Sequence, residues 1–517
     1  MRQANFGYII RKKSYYDPTG LAIVEQATGN EYTYRELERR SNSIARELRT
    51  RGVEKGDRVC GLFRNSIEFF DLFFACCKLG AVATPFNFRL SSGEIDYLLD
   101  DCDPSLFVYE SVFEKKVADL NLSNIPSVHI DVTFDNMMAS ADEMMARDDD
   151  WSAFYTRSTD EIEIADGFDT PAVLLYTSGS TGRPKGVPLS HKNLFFSSVG
   201  FIIDTELTSN ETTITSSPIF HVGGLNIFTL PLLHVGGTVI LQQEFDPVEN
   251  WQMMATHDVT RLFAIPTMLN AMVNVDGWRE HDLSALELVM GGGEPVPGKL
   301  KKAFASIDVP CVAGYGLTET TDGSLILRPE DAANKPPKCN GKTFTHVDAK
   351  VVGEDGTELP PGEAGELLHR GPTVADEYLG LPEETAKAWT GEWFHTGDIA
   401  EVDENGFYHI HGRMDDMIIS GGENIYPSEV EDALYSHPDI KEAVVFGSSD
   451  ETWGEIVKAV IVITDNKPLS HDELRTFLDR DLAKYKHPKE ISFDNELPKS
   501  GTGKIERQTV IEQHSDV

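Results

Sequence analysis

Long apolar runs are missing from these 517 residues. The two richest stretches, 69–86 and 225–241, are broken by Asp71 and Lys78 and by Asn226, Pro231 and His234. Neither reaches the roughly 18 uninterrupted apolar residues a bilayer-spanning helix needs, so no membrane span is expected. The opening MRQANFGYIIRKKSYYD lacks the cationic start and apolar block of a secretory leader, and a cytoplasmic protein is expected. Cysteine is scarce: six residues, Cys60, Cys76, Cys77, Cys102, Cys311 and Cys339, none in C-x-x-C spacing. That excludes a disulfide scaffold and argues against a zinc site, leaving small buried apolar side chains as the reading. Positive charge is also short, with 46 Lys and Arg against 84 Asp and Glu and a net charge of −38. Such a surface repels phosphodiester backbones and anionic lipid, so no nucleic-acid partner is expected.

Apolar residues make up 40 % of a chain too long for one core, which predicts at least two domains. The first hundred residues alternate helix and strand signals: EYTYRELERRSNSIARELRTRG has apolar spacing near 3.6, GDRVCGLF reads as a strand, and SIEFFDLFFACCKLGA as a buried helix. Alternation of this kind predicts a largely parallel α/β sheet. Residues 135–167 lose periodicity and gain acid, as a surface excursion does. A second α/β pattern runs over 194–316, and beyond Lys335 short β-like runs between Gly and Pro predict a small antiparallel or barrel-like section. From about Met414 a compact α+β unit follows. The fold class is therefore α/β: a large N-terminal domain over 1–412, with two α/β sheet subdomains and the barrel-like section, and a small, mobile α+β C-terminal domain over 413–517.

After the strand-like run PAVLL comes YTSGSTGRPKG, residues 176–186, with three glycines, four hydroxyl side chains, Arg183 and Lys185. Glycines let backbone N–H groups approach phosphate oxygens, hydroxyls add donors, and a lysine supplies mobile positive charge. The bland alternative is a solvent-exposed turn, but the position directly after a buried strand favours a polyphosphate such as ATP. The common P-loop pattern G-x-x-x-x-G-K-[ST] is not met here, because Lys185 stands between Pro184 and Gly186. SGTGKIER fails it as well, since Ile505 follows Lys504.

YTSGSTGRPKG, GYGLTET (314–320), FHTGD (394–398), GRMDDMIISGGENIYPSEVE (412–431) and PKSGTGKIER (498–507), in this order, resemble the adenylate-forming superfamily of acyl-CoA synthetases, luciferase and adenylation domains. The resemblance spans nearly the whole chain. It implies two half-reactions: a carboxylate attacks the α-phosphorus of Mg-ATP to give acyl-adenylate and pyrophosphate, and the thiol of coenzyme A then displaces AMP. Because the carboxylate is already ionised at neutral pH, the first step needs charge neutralised on phosphate oxygens rather than proton transfer.

Carried over by motif, the resemblance assigns Thr177, Ser178, Gly179, Ser180, Thr181, Gly182 and Lys185 to the β- and γ-phosphates. Gly314, Tyr315 and Gly316 would lie at the adenine, with Tyr315 against the ring; Thr318 would bond the α-phosphate and Glu319 would ligate Mg²⁺. Gly293, Glu294 and Pro295 would border both adenine and acyl pocket, and Asp398 with Arg413 would hold the ribose. Lys504 would be carried into the site by closure of the C-terminal domain about a hinge near Asp415. Gly421 and Gly422 would line a pantetheine channel after that domain rotates.

PIFHVGGLNIF (218–228) resembles the segment closing the acyl pocket, with His221 at its gate. It holds no aspartate to receive an amino group. Val222, Leu225 and Phe228 favour an aliphatic, fatty acid. An aryl or keto acid of the coumarate or succinylbenzoate type is the alternative, with Arg261 or Arg279 available for a second carboxylate, as is an acyl-AMP ligase that loads a carrier protein. The partners implied are a carboxylic acid, ATP and CoA, and a homodimer is left open.

Overall fold

The run SIEFFDLFFACCKLG folds as the helix Ile67–Leu79, in which every residue but Glu68 is buried. Phe69, Phe70, Phe73 and Phe74 are at most 1 % exposed, and each contributes ~1.5–3 kcal/mol on burial. Gly80 stops the helix in the left-handed region at φ +73°. The helix expected over 31–52 begins later, at Tyr34, because Glu31–Thr33 pairs as an edge strand. Thr33 then caps it: its hydroxyl accepts from the Glu36 N–H while the Glu36 carboxylate accepts from the Thr33 N–H.

This computed structural model describes residues 5–130, 152–155, 157–177, 183–332, 335, 336, 338–450, 452–464, 469–480, 482–500 and 503–515. Most of the acidic excursion expected at 135–167 lies outside them. The described strands form three sheets. In the first, Ser127–Ile130, Leu106–Glu110, Arg58–Leu62, Val82–Phe86 and Pro171–Thr177 run parallel, and Lys185–Ser190 closes the edge as an antiparallel hairpin partner of Pro171–Thr177. In the second, Cys311–Tyr315, Leu288–Gly291, Arg261–Ala264, Thr212–Thr215, Thr238–Leu241 and Leu21–Glu25 are parallel neighbours. The antiparallel section beyond Lys335 continues this second sheet through Leu325–Ile326 and Cys339–Thr343, rather than standing apart from it. Tyr408–Arg413 is the last strand it receives from the chain.

Ile418–Ser420 opens the third, five-stranded sheet, built on the long hairpin Ile440–Asp450 and Gly454–Ile463. Helices Pro427–Tyr435 and His471–Leu478 pack on it around Val430, Leu434, Leu474 and Leu478. The small lobe leans on the large one: Lys299 Nζ donates to the Ile440 carbonyl at 3.4 Å and Ser428 Oγ to that of His411 at 2.5 Å. No helix among the described residues is long and apolar enough to cross a membrane.

Candidate active site between the lobes

The carboxyl ends of parallel strands are where open α/β sheets bind ligands, and Cys311–Tyr315 delivers Tyr315 to such an end. The Tyr315 hydroxyl donates to Asp398 Oδ2 at 2.6 Å, while Arg413 Nη1 reaches Asp398 Oδ1 at 3.4 Å and the Thr396 carbonyl at 2.9 Å. Strand register explains the second pair, since Asp398 and Arg413 face each other across Trp393–Val402 and Tyr408–Arg413. Burial pushes the Asp398 carboxyl up, and Arg413 and the tyrosine donor oppose it. One face of Tyr315 packs on His369, ring centres 5.9 Å apart. A Cβ on Gly316 would fall 2.5 Å from the Asp322 carbonyl oxygen, so glycine is required where the chain doubles back.

Thr318–Thr320 forms one 3₁₀ turn that presents Glu319. The Tyr378 hydroxyl donates to Glu319 Oε1 at 2.7 Å, and the Lys185 ammonium lies 4.9 Å from the Tyr378 ring centre. Thr177 and Lys185 are register partners at the neck of the glycine-rich hairpin. Ser178, Gly179, Ser180, Thr181 and Gly182 lie outside the described residues. Lys185 Nζ also donates to Glu384 Oε2 at 2.9 Å, and hydrogen bonds from Lys185 and Lys387 hold the Glu384 carboxyl down at about 2. Glu319 keeps its second oxygen unengaged among the described residues, which suits a hard cation that takes further oxygens from phosphate and water.

Lys504 crosses from the small lobe. Its Nζ stands 2.8 Å from where a Cβ on Gly293 would lie, and Gly293 has φ +79°, so both the conformation and the close approach require glycine there. The contact is fastened by the Ile505 N–H donating to Glu294 Oε1 at 3.3 Å and by Thr267 Oγ1 donating to the Gly503 carbonyl at 3.1 Å. Burial pushes the Glu294 carboxyl up while Lys504 pulls it down. His221 stands within the field of the same lysine; burial first, then Lys504 and Arg89, hold its imidazole down at about 3, and its buried Nε2 has no partner among the described residues.

A cavity of about 10 Å³ is lined by Thr213, Thr215, Ser217, Gly223, Phe228, Thr229 and Phe263, among others. That is room for about one water. Thr215 and Thr229 share a hydrogen bond at 2.7 Å. Gly224 must lack a side chain, because a Cβ would fall 2.3 Å from the Pro218 carbonyl oxygen.

Of the residues expected from sequence, Gly293, Glu294, Lys504 and His221 converge on one cleft, and Tyr315, Asp398 and Arg413 form a second connected set. Thr318 opens the turn of Glu319, and Gly314 and Pro295 flank Tyr315 and Glu294. Gly421 and Gly422 stay apart: both are exposed at a small-lobe turn, at φ +62° and +86°, and a Cβ on Gly421 would meet only Trp453. Arg261 and Arg279 do not line the cavity; Arg261 is paired with Glu211 and Glu287, and Arg279 lies 4.2 Å from the Trp278 ring centre. Sequence reasoning missed Tyr378, Glu384, Phe263 and Asp322. Only Asp322 carried a signal, being three residues past Glu319.

Residues 12–379 match the family described as AMP-binding enzyme, and 429–504 match the AMP-binding enzyme C-terminal domain. The chain is 38 % identical over 505 residues to a feruloyl-CoA synthase of Amycolatopsis sp, covering 98 % of each. It is 33 % identical over 517 residues to the long-chain-fatty-acid–CoA ligase FadD13 of Mycobacterium tuberculosis, covering 99 % of each. The ATP-bound crystal structure of MatB from Rhodopseudomonas palustris superposes with a TM-score of 0.89 at 29 % identity, covering 99 % of both chains.

Proposed function

The chain belongs to the AMP-binding enzyme family and is an AMP-forming acyl-CoA synthetase, and from that premise we propose that its acid is a compact aromatic one bearing polar groups. The observation that carries this reading is the wall chemistry of the small cavity, Phe228 and Phe263 beside Thr213, Thr215, Ser217 and Thr229, which at about 10 Å³ would have to widen around any acid. Flat rings pack on aromatic walls, and a ring hydroxyl gains hydrogen-bond partners from Thr and Ser oxygens that an alkyl chain cannot engage. An aliphatic chain, which the sequence alone favoured without fixing its length, gains nothing from those oxygens. Similarity to a feruloyl-CoA synthase is consistent with the aromatic choice.

In this reading the chain works by placing charge. Asp398 accepts from the ribose hydroxyls, with Tyr315 and Arg413 fixing its orientation; the hairpin from Thr177 to Lys185 and Thr318 hold phosphate oxygens. Glu319 would hold Mg²⁺, which screens those oxygens against the incoming carboxylate. The Lys504 ammonium, delivered beside Gly293, stabilises charge passing from the carboxylate to the α-phosphate. Neutral His221 closes the pocket without adding a cation. The domain boundary is drawn at 412/413, with the hinge near Asp415, and rotation there would bring Gly421 and Gly422 to the thiol's path.

AMP release over a panel of acids, with and without CoA, tests this. The expected result is CoA-dependent AMP release with hydroxylated benzoates or cinnamates at a kcat/KM at least about tenfold above that for octanoate or palmitate. A preference for the fatty acids would contradict the aromatic assignment, and pyrophosphate release independent of CoA would favour transfer to a carrier protein.

A further inference from the structure

An aspartate stands at the acyl cavity after all, supplied by a different part of the chain from the segment that lines the gate. Asp322 follows Thr321 in two successive left-handed positions, φ +60° and +55°, and this kink turns the chain back from Gly316 toward the pocket. Its Oδ2 lies 3.2 Å from where a Cβ on Gly223 would sit, at the same distance from that point as the Phe263 ring. Gly223 and Phe263 both line the cavity. No hydrogen bond or ion pair engages the Asp322 carboxylate among the described residues, although Lys504 acts on it through space. Burial pushes this carboxyl up to about 7, Lys504 opposing.

A carboxylate without a donor, beside a lysine that must receive the substrate's own carboxylate, is costly in two ways. It is half-buried with no donor among the described residues, and in its ionised form it repels the second anion. A hydrogen-bond donor on the ligand reduces both costs, and no side chain among the described residues supplies one. We propose that Asp322 is a specificity-determining residue that accepts a hydrogen bond from an amino or hydroxyl group carried on the substrate next to its carboxylate. Asp322 stands at Gly223 beside the Phe263 ring, and the donor position to be tested is the ortho carbon of a benzoate or the β carbon of an alkanoate. This rests on the ligase reading above and narrows its substrate class.

The test uses acids matched in skeleton and differing only in the donor: benzoate with its ortho-amino and ortho-hydroxy forms, and hexanoate with its β-amino and β-hydroxy forms. Reading the ratio on both skeletons separates this proposal from the aromatic assignment, because an alkanoate-selective enzyme still reports on the donor. For the native protein, kcat/KM for CoA-dependent AMP release should favour a donor-bearing acid about 10- to 100-fold over its matched parent. Asp322→Gly removes the carboxyl with a residue that accepts the left-handed backbone, and should bring the ratio of donor-bearing to parent acid to about one. Asp322→Asn keeps an acceptor oxygen and should retain preference for the hydroxy acid while losing more of that for the amino acid. A native ratio near one, an unchanged ratio in Asp322→Gly, or an equal collapse on donor-bearing and parent acids would overturn the assignment.

Discussion

His369 is fully buried behind Tyr315, and neither ring nitrogen has a hydrogen-bond partner among the described residues. Burial alone lowers it from the ordinary 6.5 to about 3. As pH falls, the unfolded chain therefore takes up the proton first. The contribution of neutral His369 to stability is complete above 6.5 and is lost as pH falls toward 3. Between pH 7 and pH 5 this one group should remove about 2 kcal/mol of unfolding free energy. His369→Leu, which keeps the volume and drops the titration, should show a pH 7 to pH 5 loss smaller than the native protein's by that amount in urea denaturation; equal losses would show that the ring finds a partner in solution. Nothing in GELLHRG announced a buried histidine, because alternation along a strand does not say which neighbour covers each face. Asp398, Arg413 and Tyr315 were legible as types by motif, yet the hydroxyl of Tyr315 on Asp398 depends on strand register that spacing does not encode.

At the scale of elements, periodicity placed the Ile67–Leu79 helix and the Arg58–Leu62 strand where they stand, since an apolar period of 3.6 or a short apolar run leaves little choice. It misplaced the start of Tyr34–Thr50, where pairing with Leu21–Glu25 claimed three residues. The helix Pro382–Ala388 was not foreseen at all, and it carries Glu384 to Lys185 at the neck of the glycine-rich hairpin. In that position Glu384 occupies the cation that phosphate oxygens would use. Removing that partner frees the ammonium for phosphate oxygens, so Glu384→Gln should lower the KM for ATP by about two- to fivefold with kcat little changed. A raised KM would mean instead that Glu384 holds Lys185 in its working position. The cavity was the least legible element, because Thr213, Phe228 and Phe263 come from three segments and meet only in the folded sheet.

Across the whole molecule two lobes meet at Lys504. Sequence order alone put this lysine more than two hundred residues from Gly293 and Glu294, and the motifs linked them only through resemblance; the structure brings it to Gly293 through the Ile505 and Gly503 contacts. In the functional account this is the adenylate-forming arrangement, and thioester formation needs the small lobe to turn and withdraw the lysine. The arrangement also separates the partial reactions, since only one of them uses the ammonium. The most direct measurement is therefore Lys504→Ala assayed side by side for acid-dependent ATP–pyrophosphate exchange and for CoA-dependent turnover of supplied acyl-adenylate. The account expects exchange to fall by at least about 10²-fold while turnover of the adenylate stays within about threefold of native; equal losses in the two assays would contradict it.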